Sequence, residues 1–313
     1  MSALPLRPPW RMAIGALFVS ASAILIDLSG TSTGTASFYR CVLALPLLAG
    51  LGVLERRRDG GLPWRRRAVA AVAGALFAGD MLLWTQAILE VGAGLSTVLV
   101  NAQVLIVPFL AMLVDREPIG RRFLLSLPVM LVGIVLTGGV FQSGVTGRDP
   151  ARGTVHAVLA ALCYSGFLFL LRRGGHAGQI VQSYQDVIAT AAIVSLIAGA
   201  LWHGVNLIPG WAAIGWLALV AACGQVIGWL LVALTTPRLA SEVGAALLML
   251  TPVGALVLGA AVLGEHPTVL QLLGCALMLA SIYAASARRP PREQIGDLTR
   301  HATADSTERT HIS

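Results

Sequence analysis

The sequence predicts an all-α integral membrane protein with ten transmembrane helices, arranged as two inverted five-helix repeats. Three observations lead to this fold class. The composition is 56% hydrophobic and only 12% charged, whereas a soluble domain carries about 25% charged residues. Ten apolar segments have close to membrane-spanning length. The second half of the chain also repeats the first at a constant spacing.

The composition restricts the chemistry. The chain has 313 residues and a mean hydropathy of +0.79, so most side chains face lipid or other helices. The cysteines lie inside apolar runs without metal-ligand spacing, and we predict small buried side chains rather than disulfides or a metal site. They are Cys41, Cys163, Cys223 and Cys275.

The chain contains no lysine, and all 22 of its basic residues are arginines. A phosphate-binding loop of the GxxxxGK[ST] type needs its lysine, which excludes ATP hydrolysis by that route within this chain. A Schiff base to pyridoxal phosphate or retinal is excluded for the same reason. We therefore predict no cofactor, and a gradient, a partner chain or no energy source at all as what drives the protein.

Ten segments are apolar enough to cross a bilayer. A spanning helix needs about 20 mostly apolar residues, and backbone groups in lipid must bond within the segment, which favours helices. The predicted spans are 12–28, 34–53, 68–89, 94–114, 122–141, 153–171, 181–202, 212–234, 239–262 and 269–287.

The arginines predict the orientation. With the N-terminus inside, the inner segments hold 19 arginines and the outer loops hold only Arg148 and Arg152. Positive residues stay on the cytoplasmic side. The sequence therefore predicts a multi-pass protein of a bacterial inner membrane with both termini in the cytoplasm. The abundance of Ala and Gly agrees with a GC-rich bacterial genome.

The internal repeat relates residues 68–131 to residues 216–279 at an offset of 148, without a gap. Each copy ends in an apolar run, a glutamate (Glu117 or Glu265) and a proline. Five spans per copy is an odd number, so the copies have opposite orientations, as in secondary transporters. Glu117 is then at an inner helix end and Glu265 at an outer one. Compositional similarity is the alternative explanation.

These features predict five regions along the chain. The first segment resembles a signal peptide in its flanking arginines, but we expect it to be retained as a span, since cleavage would separate the halves. The regions are a cytoplasmic N-terminus (1–11), a first five-helix repeat (12–141), a linker (142–152), a second repeat (153–287) and a disordered cytoplasmic tail (288–313).

Short motifs resemble the drug/metabolite transporter superfamily of the EamA type. They are Phe-Tyr-Arg at 38–40, Thr-Pro-Val at 251–253 and Leu-Gly-Glu at 263–265. The first copy departs from the pattern, with Asp-Arg-Glu at 115–117. The resemblance implies a ten-helix exporter or permease of small organic solutes that works by alternating access. Amino acids, nucleotide-linked metabolites and drugs are the solutes associated with this group.

Asp80 lies near the middle of the third predicted span. A charge at the bilayer centre costs about 2.5–3.5 kcal/mol on insertion scales, so Asp80 needs a partner or a wet cavity. It is predicted to bind a cationic group or a proton, and an ion pair with Arg40 is the structural alternative. Trp84 follows one turn later on the same face and is a candidate cavity wall.

Two later spans supply further candidates. Trp229 lies mid-span in the eighth segment, one turn from Gln225, and is predicted to line a cavity with it. Tyr164 in the sixth segment is a similar candidate. Tryptophans at span ends are predicted interfacial anchors. They are Trp10, Trp64, Trp202 and Trp211.

Prolines inside equivalent spans predict helix breaks near the membrane centre. In the fourth span Asn101 and Gln103 precede Pro108, and in the ninth Thr251 precedes Pro252. A mid-helix proline frees a backbone carbonyl, and interrupted helices in two inverted halves indicate a central binding site. Inter-helix packing without solute contact is the alternative for each residue.

Together these patterns predict a secondary transporter, an exporter of small organic metabolites, amino acids or drugs, and not an enzyme. The partners are a small-molecule substrate, the lipid bilayer and a coupling proton, with no nucleic acid. A non-transporting sensor or scaffold is the alternative. An intramembrane aspartyl protease is disfavoured, because Asp80 lacks the Gly-x-Gly-Asp motif and Asp186 follows glutamine rather than tyrosine.

Overall fold

The computed structural model describes residues 8–116, 121–139, 148–174, 179–235, 247–248 and 250–286. Within these residues the chain is helical, with short turns and no strand. The predicted disordered tail, the Glu117 corner, most of the predicted linker and residues 1–7 lie outside the described residues.

Helices follow one another along the whole described chain. They are α1 (Pro8–Leu28), α2 (Thr33–Val42), α3 (Leu45–Asp59), α4 (Trp64–Val91), α5 (Ala93–Val100), α6 (Gln103–Asp115), α7 (Arg121–Gly138), α8 (Pro150–Gly174), α9 (Ile180–Trp202), α10 (Trp211–Val220), α11 (Trp229–Thr235), α12 (Leu250–Leu258) and α13 (Val269–Ser286). Two π-helical segments, Ala221–Gly228 and Gly259–Leu263, continue α10 into α11 and extend α12.

Six helical stretches in the described chain are long and apolar enough to cross a membrane. They are Pro9–Leu28, Thr33–Asp59, Trp64–Val91, Pro150–Leu170, Ile180–Trp202 and Trp211–Val232. Shorter apolar helices cover Leu124–Gly138, Leu250–Leu263 and Val269–Ser281. The all-helical, multi-pass part of the predicted fold class is thus present, and the count of ten crossings stays a prediction.

The break in the fourth predicted span is not at its proline. Helix α5 ends at Asn101–Ala102, whereas α6 continues through Pro108. The cause is local, because Asn101 Nδ2 donates to the carbonyl oxygen of Thr97 at 2.7 Å. An asparagine that satisfies the last carbonyls of a helix ends it there. The helix break predicted at Pro108 is therefore wrong in position.

Pro252 lies within α12, and residues 247–248 before it are helical as well. Residues 236–246 and Met249 lie outside the described residues. A helix break before Pro252 consequently stays a prediction.

The helices enclose a central region by pairing across the two halves of the chain. Helix α4 packs along α8 and α9, and α1 packs along α12 and along the stretch from α10 to α11. Helices α2 and α3 pack on α9, and α5 packs on α12. The middle of the bundle therefore receives side chains from both halves.

Helices α7 and α13 form a separate pair that packs through small residues. A Cβ atom on Gly133 would meet Met278 Cγ at 2.7 Å, and one on Gly274 would meet the backbone oxygen of Gly133 at 2.8 Å. Close approach of two helix backbones in lipid depends on such small residues. Larger side chains at either glycine would force these helices apart.

Two glutamates accept hydrogen bonds from backbone N–H groups in the other half of the chain. Glu265, in the turn after α12, accepts hydrogen bonds from the N–H groups of Ala93 (2.5 Å) and Gly94 (3.0 Å) at the start of α5. Glu55 in α3 accepts from Val181 (3.0 Å) and Gln182 (2.8 Å) at the start of α9. A carboxylate at a helix N-terminus satisfies free N–H groups and the helix dipole.

Candidate functional site

A cavity of about 120 Å³ lies in the middle of the bundle. A cavity needs a volume of roughly 10–15 Å³ to hold one water molecule. The central cavity is therefore large enough for several waters or for a small organic solute. All eight predicted contact residues line it, namely Asp80, Trp84, Asn101, Gln103, Tyr164, Gln225, Trp229 and Thr251. The structure brings them together, and their contact with a solute stays a prediction.

Asp80 and Arg40 both line this cavity and are buried, 6% and 5% exposed. The structural alternative was a direct ion pair between them. Within the described chain, no carboxylate oxygen lies within 4.0 Å of a guanidinium nitrogen of Arg40. The cavity therefore contains a guanidinium and a carboxyl group that are not in direct contact.

Arg40 also interacts with the face of Trp84, with its guanidinium carbon 5.4 Å from the ring centroid. A cation over an aromatic face is attracted by the ring quadrupole. No described residue accepts a hydrogen bond from Nε or Nη1 of Arg40, or from Nε1 of Trp84. This part of the cavity wall is thus rich in donors without acceptors.

Aromatic rings surround Trp229 in another part of the cavity wall. Its ring lies 6.4 Å from Phe77, 6.1 Å from Tyr164 and 6.3 Å from Tyr184, centroid to centroid. Phe167 stacks on Phe77 at 4.4 Å behind this wall. Edge and offset contacts of this kind hold rings in place. The wall is therefore a rigid apolar surface beside the two charges.

Gln225 is fully buried in the first π-helical segment. Its side-chain oxygen accepts from the Tyr184 hydroxyl at 3.4 Å, and its Nε2 lies 3.4 Å from Met81 Sδ. A π-turn inserts one residue into a helix and is frequent at functional sites. The π-turn and these two contacts fix the carboxamide at the cavity wall.

The remaining predicted residues have local structural partners as well. Thr251 donates to the carbonyl oxygen of Ala16 in α1 at 3.3 Å. The backbone oxygen of Gln103 lies 3.5 Å from the Ser165 hydroxyl. Asn101 uses one donor to end α5, as described above. Each of these residues therefore combines helix packing with a place on the cavity wall.

The tryptophans divide into two groups by position. Trp84 is 9% exposed and Trp229 is partly buried, and both line the cavity. Trp10, Trp64 and Trp211 are 64%, 73% and 90% exposed at helix ends. This distribution is typical of interfacial anchors at span ends.

Several cavity residues were not selected from the sequence. Phe77 looked like an ordinary apolar residue, although it is the repeat equivalent of Gln225 at the offset of 148. Ser22 and Thr97 are small polar residues of a kind that most membrane helices contain. The sequence suggests Arg40 as a partner for Asp80 and as part of the Phe-Tyr-Arg motif, but not as a residue of the cavity wall. The repeat offset was the signal that would have identified Phe77.

A hydrogen-bonded chain closes the end of the bundle where α4 ends. Thr33 donates to Gln86 at 2.8 Å, Gln86 donates to Glu90 at 2.8 Å, and His156 Nδ1 lies 2.5 Å from Glu90. These residues tie α2, α4 and α8 together. Over the described residues there is no cluster of three or more potential metal ligands.

Comparison with known proteins identifies the family. The EamA-like transporter family matches the chain twice, over residues 10–139 and residues 151–287. The chain belongs to this family. The resemblance to EamA-type drug/metabolite transporters is therefore confirmed.

Solved structures share the fold of this chain. Twenty-two chains of solved structures match this EamA-like transporter. One of them, titled "Crystal structure of protein", has a TM-score of 0.58 and 17% sequence identity, over 89% of this chain and 96% of its own. At that identity the likeness shows the fold alone. No curated protein matches the sequence.

Family membership and the apolar helices give the general activity. This EamA-like protein is a multi-pass membrane protein that transports small molecules. Its working environment is therefore the lipid bilayer, and its family is generally not enzymatic.

Proposed function

We propose that this protein is a secondary transporter that exports small amphipathic organic solutes (metabolites, amino acids or drugs) across a bacterial inner membrane by alternating access. Both termini are cytoplasmic, and two inverted five-helix repeats enclose the solute between them. One observation carries the proposal: repeat-equivalent residues from both halves line one central cavity.

The offset of 148 connects four pairs of cavity residues. They are Phe77 with Gln225, Trp84 with Val232, Val100 with Leu248, and Gln103 with Thr251. Compositional similarity has no reason to place both members of several pairs around one space. An inverted repeat with a site on its pseudo-twofold axis does so directly.

Helix packing supports the same interpretation. Each family match begins with one helix, α1 or α8. Helix α8 packs on α4, the third span of the first half, and α1 packs on the α10–α11 stretch, the third span of the second half. This exchange of partners is what a pseudo-twofold relation between inverted halves produces.

The polar groups of the cavity have separate roles in this proposal. Asp80 contacts a cationic group of the solute or takes up a coupling proton, since a carboxylate at membrane depth needs a positive partner. Asn101 and Gln225 supply neutral hydrogen bonds. Tyr164 and Trp229 provide the surface against which the apolar part of the solute packs.

Flux measurements test the transport proposal. Purified protein in proteoliposomes should accelerate movement of labelled amino acids, nucleosides or cationic drugs down or against a proton gradient, compared with empty liposomes. A growth-resistance screen of overexpressing cells against toxic members of these classes selects the solutes to label. A protein that binds solutes but never moves them would be a sensor or scaffold instead.

Accessibility labelling tests the inverted arrangement. Single cysteines at positions 117 and 265, in a background without the four natural cysteines, should react with an impermeant reagent from opposite sides of the membrane. Position 117 should be accessible only from the cytoplasm and position 265 only from outside. Labelling of both corners from a common side would overturn the inverted repeat.

A further inference from the structure

We infer that Arg40 and Trp84 form an oxyanion-binding point in the central cavity, so that the transported solute carries a carboxylate or phosphonate group. This inference rests on the proposed function and specifies its solute class. The observation behind it is a buried guanidinium, facing a cavity, whose Nε and Nη1 donors have no acceptor among the described residues.

Burial makes this arrangement costly without a ligand. Arg40 is 5% exposed, and an arginine side chain keeps its charge inside proteins. A buried charge normally has a paired, hydrogen-bonded partner. The contact with the Trp84 ring stabilises the cation but accepts none of its N–H groups. The oxygens of an oxyanion would accept hydrogen bonds from the Arg40 N–H groups that have no acceptor among the described residues.

The geometry of the donors favours an oxyanion over a neutral acceptor. A guanidinium presents two parallel N–H groups that match the two oxygens of a carboxylate or phosphonate. Trp84 Nε1 is a third donor in the same wall and also has no acceptor in the described part of the chain. These unpaired donors, on two neighbouring residues that line the cavity, are more than a single carbonyl oxygen can use.

Asp80 does not fill this role within the protein. It lines the same cavity but makes no hydrogen bond or close ion pair with Arg40 in the described structure. An anionic group at Arg40 is compatible with the nearby Asp80 when a proton neutralises that carboxylate or a positive group pairs with it. Arg40 then binds the anionic group of the solute, and Asp80 binds the proton or the positive group.

Binding of matched probes to purified protein tests this inference without requiring transport. Suitable probes are 3-phenylpropanoate, 2-phenylethylphosphonate and the neutral 3-phenylpropanamide, which share the phenylethyl part that the aromatic wall accepts. Their affinities follow from quenching of tryptophan fluorescence and from shifts of the unfolding temperature. A charge-assisted hydrogen bond contributes about 1.5–3 kcal/mol, so at least one anion should bind about tenfold more tightly than the amide.

Three variants locate the preference. Arg40→Gln keeps hydrogen-bond donors but removes the charge, and it should bind the anions and the amide equally. Arg40→Lys keeps a charge without the fork and should retain only part of the preference. Arg56→Gln removes an exposed arginine of α3 outside this cavity and should leave the preference unchanged.

Asp80→Asn separates the two charges. If Arg40 alone reads the anion, this variant should keep the preference for anions over the amide even where its transport is lost. Equal affinity of the wild type for all three probes, no binding of either anion at millimolar concentration, or an undiminished preference in Arg40→Gln would each overturn the inference. No flux through the wild-type protein, together with an intact anion preference in the wild type, would contradict the transport proposal instead.

Discussion

The third span of each half occupies an equivalent place beside the cavity, yet the two are built differently. Helix α4 is a continuous α-helix of 28 residues, whereas its equivalent is divided into α10, a π-helical segment and α11. At the offset of 148, Asp80 corresponds to Gly228 and Met81 corresponds to Trp229. At these positions the first half therefore places a carboxyl group beside the cavity, and the second half places the Trp229 ring there.

The neighbours of the two helices explain the difference. Gly228 faces α1, where an added Cβ atom would lie 2.7 Å from Val19 Cγ2 and 3.2 Å from the backbone oxygen of Gly15. No side chain fits at that position. On α4, the corresponding Asp80 borders the cavity instead. Inverted repeats thus share a scaffold while their chemistry diverges wherever the neighbouring helix comes closer in one half.

Asp80→Asn should give the largest effect, because it removes the carboxyl group that the first half places beside the cavity. We expect loss or uncoupling of transport, with at least about a tenfold fall in proton-dependent flux, since the amide no longer attracts a positive group. Flux into proteoliposomes with and without a pH gradient measures this. Asp59→Asn, at an exposed helix end, is the matched control. Wild-type flux and pH response in Asp80→Asn would remove Asp80 from the site.

Trp229→Ala should have the next largest effect, because it removes the centre of the aromatic wall. Truncation of a large packed aromatic residue costs about 3 kcal/mol or more, so the unfolding temperature in detergent and the affinity for aromatic solutes should both fall. Trp211→Ala changes a 90% exposed residue on the same stretch. It should alter stability by less than about 0.5 kcal/mol. Equal losses in the two variants would mean that ring contacts do not stabilise the second half.

Gly228→Ala tests the close approach that distinguishes the halves. The added methyl group would press on Val19 and on backbone of α1, and overpacking of this kind costs about 1–3 kcal/mol. Gly215→Ala on the same stretch is the control, since no atom lies within 4 Å of its added Cβ. It should be neutral or stabilising by about 0.5 kcal/mol. Thermal unfolding of both variants decides the matter, and a stable Gly228→Ala protein would refute the packing explanation.

Glu265→Gln should give the smallest effect and a pH signature. Burial raises the pKa of Glu265 above its ordinary value. The hydrogen bonds from the N–H groups of Gly94 and Ala93 lower this pKa, and the charge of Asp27 raises it, but burial has the largest effect. The folded protein therefore holds this proton more tightly than the unfolded one. Stability should fall as pH rises from the ordinary to the raised pKa.

Unfolding temperatures across that pH interval measure the effect of Glu265. The wild type should lose stability with rising pH, and Glu265→Gln should lack this slope. Glu265→Ala should be less stable at every pH, because both N–H groups lose their acceptor. An identical slope in Glu265→Gln would assign the pH dependence to other groups.

Much of the site was accessible from the sequence because membrane depth is a strong constraint. Polar residues near the middle of a span are costly in lipid, so they face the interior of the helix bundle. This constraint predicts that Asp80, Trp84 and Gln225 lie around one cavity. Phe77 and Ser22 carry no such signal, because apolar and small residues occur at every depth. The position of α5 was also predictable from its Gly-rich start.

The local course of two helices was not predictable from residue type. Proline suggested a break at Pro108, but the side-chain hydrogen bond of Asn101 ends the helix earlier. The π-helical segment at Ala221–Gly228 contains no helix breaker except its glycines. It lies where α1 approaches closely through Gly15 and Gly228. Such features depend on a neighbour that sequence periodicity does not reveal.

The interruption at Asn101–Ala102 has a mechanical consequence. Glu265 of the second half binds the start of α5, and α5 packs on both α12 and α8. Helix α6 lies beyond the break and packs on α8 as well. Because regular α-helical geometry is interrupted at Asn101–Ala102, a crosslink from α5 to α12 would restrain α5 directly, whereas α6 would be connected to it only through this turn.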